Sequence, residues 1–219
     1  GIAKAANLTT NDAGAYTMWH IPFAQYAKAD VNFTFHHVMA PKHQLVYHAG
    51  VGVAVPYLNA TVLPFEKRYF SGGSNSVRGW QARTLGPGGF RGANNTMVYD
   101  LQAGDIRLDL NIEYRWKVWT YIELAAFVDA GNIWTIRDYE QQPHGVFEWD
   151  EFYKQIALSY GVGLRLDFSI LILRLDLGVK LHDPSRLYGD LAGTQWRTAA
   201  NGLSWKDDMT LHFAIGYPF

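Results

Sequence analysis

Asp105-Ile106-Arg107-Leu108-Asp109-Leu110-Asn111-Ile112-Glu113-Tyr114-Arg115 decides the fold. Its even positions are Ile, Leu, Leu, Ile and Tyr, and its odd positions are Asp, Arg, Asp, Asn, Glu and Arg. Successive side chains of an extended strand point to opposite faces, so this stretch is a strand with one apolar and one charged face. A helix would spread the same residues around its circumference. Two faces so different call for two different solvents.

The same rhythm runs outward in both directions. Residues 24–38 set Val31, Phe33 and Phe35 against Asn32, Thr34 and His36. After a turn holding Pro41, residues 44–56 set Leu45, Tyr47, Val51, Val53 and Val55 against Gln44, His48, Gly50 and Gly52. Downstream, Ile122, Leu124, Ala126 and Val128 oppose Glu123 and Asp129. Residues 155–168 and 171–181 repeat the pattern, with Arg165, Arg174, Asp176 and Lys180 on the polar side. In 209–219, Met209, Leu211, Phe213, Ile215, Tyr217 and Phe219 oppose Thr210, His212, Ala214 and Gly216. That makes seven strands, several longer than the usual five or six residues. Their connections alternate short and long, the long ones at 57–103, 130–154 and 182–208. Transmembrane barrels alternate in this way, with tight turns at one rim and long loops at the other. Trp116, Trp119, Phe168, Tyr217 and Phe219 gather at the short-turn side, as an interfacial girdle does.

Composition agrees with that class and removes others. A net charge of −1 gives no electrostatic pull toward nucleic acid. The absence of cysteine excludes disulfides and thiolate metal sites. Aromatics reach 15%, and mean hydropathy is −0.13 with no run of about 18 apolar residues, so no transmembrane helix is expected. A membrane-spanning strand needs only about 9–11 residues, half of them apolar, and leaves mean hydropathy unremarkable. Gly1-Ile2-Ala3-Lys4 lacks the apolar core of a secretory leader, which leaves a cytosolic protein or part of a longer one. The fold expected is all-β: an antiparallel transmembrane β-barrel whose apolar faces meet lipid and whose charged faces line the lumen. A lipocalin-like barrel or a sandwich is the soluble alternative.

Within the first long connection stands Arg68-Tyr69-Phe70-Ser71-Gly72-Gly73-Ser74-Asn75-Ser76-Val77-Arg78-Gly79-Trp80. Taken alone it reads equally as a glycine-rich surface excursion. Together with its surroundings it resembles the loop-6 signature of the outer-membrane assembly factors, the superfamily of BamA and TamA. The shared features are Gly72-Gly73, then Val77-Arg78-Gly79-Trp80, then Leu85-Gly86-Pro87. Phe127-Val128-Asp129-Ala130-Gly131-Asn132-Ile133-Trp134 and Asn111-Ile112-Glu113-Tyr114-Arg115 resemble two further motifs of that family. Phe213-Ala214-Ile215-Gly216-Tyr217-Pro218-Phe219 is similar to its closing strand. The resemblance covers residues 44–219. It implies the C-terminal part of a sixteen-strand barrel preceded by periplasmic repeat domains. On that reading residues 1–22 are an outer loop or partial strand, and residues 23–219 are the C-terminal barrel half with an inward-folding 57–103 loop. Seven strands are too few and odd in number, so residues 1–22 supply an eighth or the missing strands come from a second chain.

The resemblance also implies a site. Alternation puts Glu113 and Asp129 on the lumen side of neighbouring strands, and the family implies that Arg78 is their partner, forking between the two carboxylates. The alternative is that both acids pair with other lumen cations such as Arg107, Arg115 or Arg165. Phe213, Ile215, Tyr217 and Phe219 are expected either as girdle anchors or as a closing-strand signal read during the protein's own insertion.

Enzymatic readings find little support. His36, His37, His43 and His48 lie on one hairpin, but metal binding needs converging geometry, and rim-lining histidines are the simpler reading. Ser71, Ser74 and Ser76 sit in no nucleophile elbow, and no Gly-Lys-Ser/Thr forms a phosphate loop. No catalytic residue, metal or cofactor is therefore expected. The function expected is non-enzymatic insertion of other barrel proteins into the bacterial outer membrane, by strand templating at the barrel seam. Expected partners are outer-membrane lipid, unfolded barrel-protein clients and accessory subunits, with no nucleic acid. A polypeptide-secreting transporter of the same superfamily is the runner-up, and a passive porin stands behind both.

Overall fold

A computed structural model describes residues 9–10, 16–18, 21–91 and 99–219. Three short strands come first, β1 (Thr9–Thr10), β2 (Tyr16–Met18) and β3 (Ile21–Pro22), and pair only with one another. None of their described residues joins the main sheet as an eighth strand. The rest of 1–22 lies outside the described residues. Seven long strands follow: β4 (Gln25–Ala40), β5 (His43–Tyr57), β6 (Ile106–Lys117), β7 (Ile122–Trp134), β8 (Ala157–Asp167), β9 (Ile172–His182) and β10 (Met209–Ile215). They form one antiparallel sheet in sequence order, with β4 and β10 as its two edges. No helix among the described residues is long and apolar enough to cross a membrane.

Pairing registers carry the sequence alternation across the sheet. Leu110 lies opposite Ala49 and Ala130, and Val128 opposite Ile112 and Tyr160. Apolar residues therefore collect on the outward face, where Val51, Val55, Ile112, Val128, Val162, Phe213 and Ile215 remain exposed. A water-facing sheet would hide that surface; hydrocarbon requires no such cover. The inner face is the buried one. It packs against the 57–103 loop rather than against a second sheet. Ala54, Leu63, Tyr69 and Ile133 form one cluster of that interface, and Val77, Trp80, Leu85 and Ala157 form the other.

The last strand departs from the sequence reading. Extended structure expected through Phe219 ends at Ile215. Gly216 takes φ +84°, a left-handed angle open to glycine at little cost, and its N–H donates to Ile172 O at 2.9 Å. The remaining residues leave the outward face. Phe219 stacks on His48 of β5 with ring centroids 4.9 Å apart, and Tyr217 lies beneath the Arg115 guanidinium at 4.3 Å. Of the closing-strand residues, Phe213 and Ile215 point outward, whereas Tyr217 and Phe219 turn to the lumen side. Trp116, Trp119 and Phe168 stay exposed at the short-turn rim, so the girdle there lacks both Tyr217 and Phe219.

An Arg78 cluster between the loop and the sheet

Loop residues 68–90 reach the site because the inner face offers small residues where the loop's bulk must lie. A Cβ on Gly52 would stand 2.6 Å from the Tyr69 ring. One on Gly178 would run into the Arg78 carbonyl. Glycine is required at both by close approach. Tyr69 and Gly104 exchange both backbone hydrogen bonds, at 2.8 and 2.9 Å, which anchors the start of the loop. At the turn itself, Gly73 N–H donates to Trp80 O at 2.8 Å and closes the segment into a tight excursion with Arg78 at its tip.

Arg78 is fully buried, and its guanidinium meets three strands. Nε donates to Asp129 Oδ2 at 2.9 Å and Nη2 to Asp129 Oδ1 at 2.8 Å, a two-point fork on one carboxylate of β7. Nη1 donates to Glu113 of β6. The same Nη1 lies 3.6 Å from Asp176 of β9. The Arg78 backbone N–H also donates to Asp129 Oδ2, at 3.0 Å. Phe127 closes the remaining side, its ring 3.5 Å below the guanidinium carbon.

The two acids are not equally dependent on Arg78. Glu113 also accepts from Arg115 Nε at 2.7 Å and from Arg165 Nη2 at 2.9 Å. Asp129 has one further donor among the described residues, Asn111 Nδ2 at 2.9 Å, and no second cation. Removing Arg78 would strand Asp129 and leave Glu113 paired. The alternative partners Arg115 and Arg165 are therefore present alongside Arg78, while Arg107 turns to Asp109 at 3.3 Å.

Several participants were not singled out in the sequence. Asp176 accepts from Arg165 at 2.8 Å and has Arg174 at 3.4 Å, extending the network onto β9. Ser76 Oγ donates to Asp109 at 2.6 Å, and Arg174 Nη2 donates to Asn75 Oδ1 at 2.6 Å, so loop residues before Arg78 are held as well. From β10, Thr210 Oγ1 donates to Gly79 O at 3.0 Å and His212 Nε2 bonds Arg78 O at 2.9 Å. The edge strand thus grips the backbone of the Val77–Trp80 motif. Parity places Asp109, Arg174, Asp176, Thr210 and His212 on the polar face, but no local signal shows which of them meets the loop, and Asn75 and Ser76 lie in the loop, where parity says nothing.

Beyond the ends of the strands, Arg197 closes the 182–208 connection just before β10 by a fork onto Asp208 at 3.0 and 2.8 Å. Burial pushes the Asp208 carboxyl up, but the Arg197 fork and the Ser204 N–H outweigh it and hold the acid below its usual range. No group of His, Cys, Asp or Glu able to hold a metal occurs among the described residues.

The Omp85 superfamily domain matches residues 20–219. The outer membrane protein assembly factor BamA of Neisseria meningitidis serogroup B is 27% identical over 121 residues, 53% of this chain and 15% of that protein. BamA from Haemophilus ducreyi lacking POTRA domains 1–3 superposes with a TM-score of 0.56 at 20% identity, over 72% of this chain and 32% of that one. CdiB from Acinetobacter baumannii aligns over 88% of this chain and 27% of that one, at 18% identity and a TM-score of 0.49, too low to argue from. The chain thus spans less than a third of each protein it resembles.

Proposed function

The chain belongs to the Omp85 superfamily, whose members are β-barrel proteins of the Gram-negative outer membrane, and from that premise we propose that it acts in inserting other barrel proteins there. On this reading residues 23–219 are the C-terminal half of a larger barrel, with 1–22 an outer loop or partial strand. The action is non-enzymatic. An unpaired strand edge presents a row of backbone N–H and C=O groups, and an unfolded client strand adds to it by hydrogen bonding.

One observation carries the proposal: the inward side chains of β10, the last strand of the sheet, are held by the buried loop. A templating strand must keep its free edge aligned while a client pairs, and a loop fixed at Arg78 provides a rigid backing. Val77, Arg78, Gly79 and Trp80 are then the functional loop, Glu113 and Asp129 its anchors, and Phe213 and Ile215 the lipid-facing side of the templating strand. Accessory subunits and periplasmic repeat domains complete the machine.

A second reading, export of a soluble polypeptide through the lumen, meets the same loop differently. The loop covers the inner face where the cargo would pass, so export requires its release and insertion does not. Arg78→Ala in the full-length protein separates the two. If insertion is the function, outer-membrane levels of barrel proteins fall while secreted proteins hold steady. Unchanged barrel levels, with the loop shown by protease digestion to be released, would refute the insertion reading.

A further inference from the structure

A cleft of about 470 Å³ opens on the outward face at the loop ends of β8 and β9, on the opposite side of the sheet from Arg78. Its position follows from pairing. Tyr160 and Val162 of β8 face outward, so Leu158 does also. A register shift at the top of the β8–β9 pair brings His182 opposite Leu158, where continued regular pairing would have faced it inward with Lys180. Trp196 bridges to His182 from the next connection and follows it outward, with ring centroids 4.7 Å apart. Ile156, Leu158 and Tyr153 complete the apolar walls. The volume falls within the roughly 300–1,000 Å³ of small-ligand sites.

Height fixes what the cleft meets. β8 rises from Asp167 beside the short turn to Leu158. At about 3.3 Å per residue and a tilt near 40°, Leu158 stands about 23 Å above that turn, close to the outer edge of an apolar band about 25 Å tall. Tyr153 and Trp196 are half-exposed aromatics at that level, the residues that favour the membrane–water boundary. Gln195 also lines the cleft, and its side-chain oxygen is buried with no hydrogen-bond partner among the described residues. A buried amide left unpaired is costly, and a ligand carrying an O–H or N–H donor would relieve it. The cleft therefore joins the lipid-facing surface below to an orphan acceptor above.

We propose that this cleft holds one outer-leaflet lipid, an acyl chain lying on Ile156 and Leu158 and a hydroxyl or amide of its head donating to Gln195. The proposal rests on the outer-membrane location and is independent of the insertion reading. The register shift that turns His182 outward is what builds the site: His182 Nδ1–H donates to Ile156 O, 2.7 Å away, and so forms a floor whose Nδ1 is already satisfied.

The test uses the full-length protein in detergent, titrated with phosphatidylglycerol carrying dibrominated acyl chains, which quench nearby tryptophan. The Trp196 signal is the difference between the wild type and Trp196→Phe. The Trp119 signal, obtained in the same way with Trp119→Phe, reports ordinary lipid at the opposite rim. Trp196 should be half-quenched at about tenfold less lipid than Trp119, a difference within reach of one hydrogen bond and a sheltered chain. Leu158→Phe, which narrows the cleft, and Gln195→Leu, which removes the acceptor, should each bring the two midpoints together. Both variants leave the lumen untouched, and heat-modified gel mobility verifies that they fold. Parallel quenching of Trp196 and Trp119 in the wild type, or midpoints unmoved by both folded variants, would overturn the site.

Discussion

Strand β4 and the strands β6–β9 share one sequence pattern and meet different fates. On β4 the inward residues Lys28, Asp30, Asn32, Thr34 and His36 alternate with Val31, Phe33 and Phe35, as polar alternates with apolar on β6. Yet almost every residue of β4 is exposed on both faces, whereas Asp109, Asn111, Glu113 and Arg115 of β6 are buried. Part of the difference is position, because β4 is an edge of the described sheet and has a neighbour on one side only; the rest is cover by the 57–103 loop. It lies over β6 to β10 and touches β4 only at its outer end, where Lys28 stands 3.9 Å over the Tyr69 ring. Alternation assigns a side chain to a face. Cover by the loop decides whether that face is wet, and with it what each charge is worth.

Four substitutions, the first three paired across the two regions, would break or sharpen that contrast. Arg78→Ala has the largest expected effect. It leaves buried Asp129 without a cation and should cost about 3–5 kcal/mol in denaturant unfolding of the full-length barrel. Adding Asp129→Asn should recover part of that loss, since the two act as one unit. The corresponding change on the uncovered strand, Asp30→Asn, should stay within about 0.5 kcal/mol. Equal losses in the two regions would show that loop cover is not what sets the energies.

Next comes Gly178→Ala, whose new Cβ collides with the Arg78 carbonyl and should cost about 1–3 kcal/mol by overpacking. Hydrogen exchange of the Val77–Trp80 amides should quicken with it. In Gly50→Ala the new Cβ meets side-chain ends alone, Asn32 at 2.9 Å with His48 and Arg107 at 3.4 and 3.8 Å, and these can shift, so its midpoint should barely move.

Thr210→Val removes a single hydrogen bond to Gly79 and should cost about 1 kcal/mol, against no measurable change for Thr34→Val on the exposed strand. Smallest is Arg107→Ala. Its pairs with Asp109 and Asp30, at 3.3 and 3.9 Å, are partly wet, so the loss should be below about 1 kcal/mol and vanish in molar salt. Persistence of that loss at high salt would mean the hairpin is drier than its exposure indicates.

Much of this was legible in the residues. Period-two patterning over 105–115 and its repeats located the seven strands, their order of short and long connections, and the outward apolar surface. The site was legible only in halves. Parity put Glu113 and Asp129 on the inner face, and the family resemblance singled out Arg78. Neither indicated that Glu113 would have three guanidinium partners and Asp129 one. Asp176, Thr210 and His212 carried the right parity but no mark to distinguish them from other polar-face residues. The end of β10 was misread for a simpler reason: Gly216 fits the alternation as a small inward residue, and its positive φ is invisible to a pattern of polarity.

What the chain determined alone, then, is which solvent each side chain of a strand would face, because the two-residue repeat is a property of local backbone geometry. Which charges would meet is another matter. Arg78 and Asp129 are 51 residues apart, and their contact depends on a loop bending inward past glycines on strands it does not adjoin. Only the assembled sheet, bringing β6, β7, β9 and β10 around that loop, could decide it.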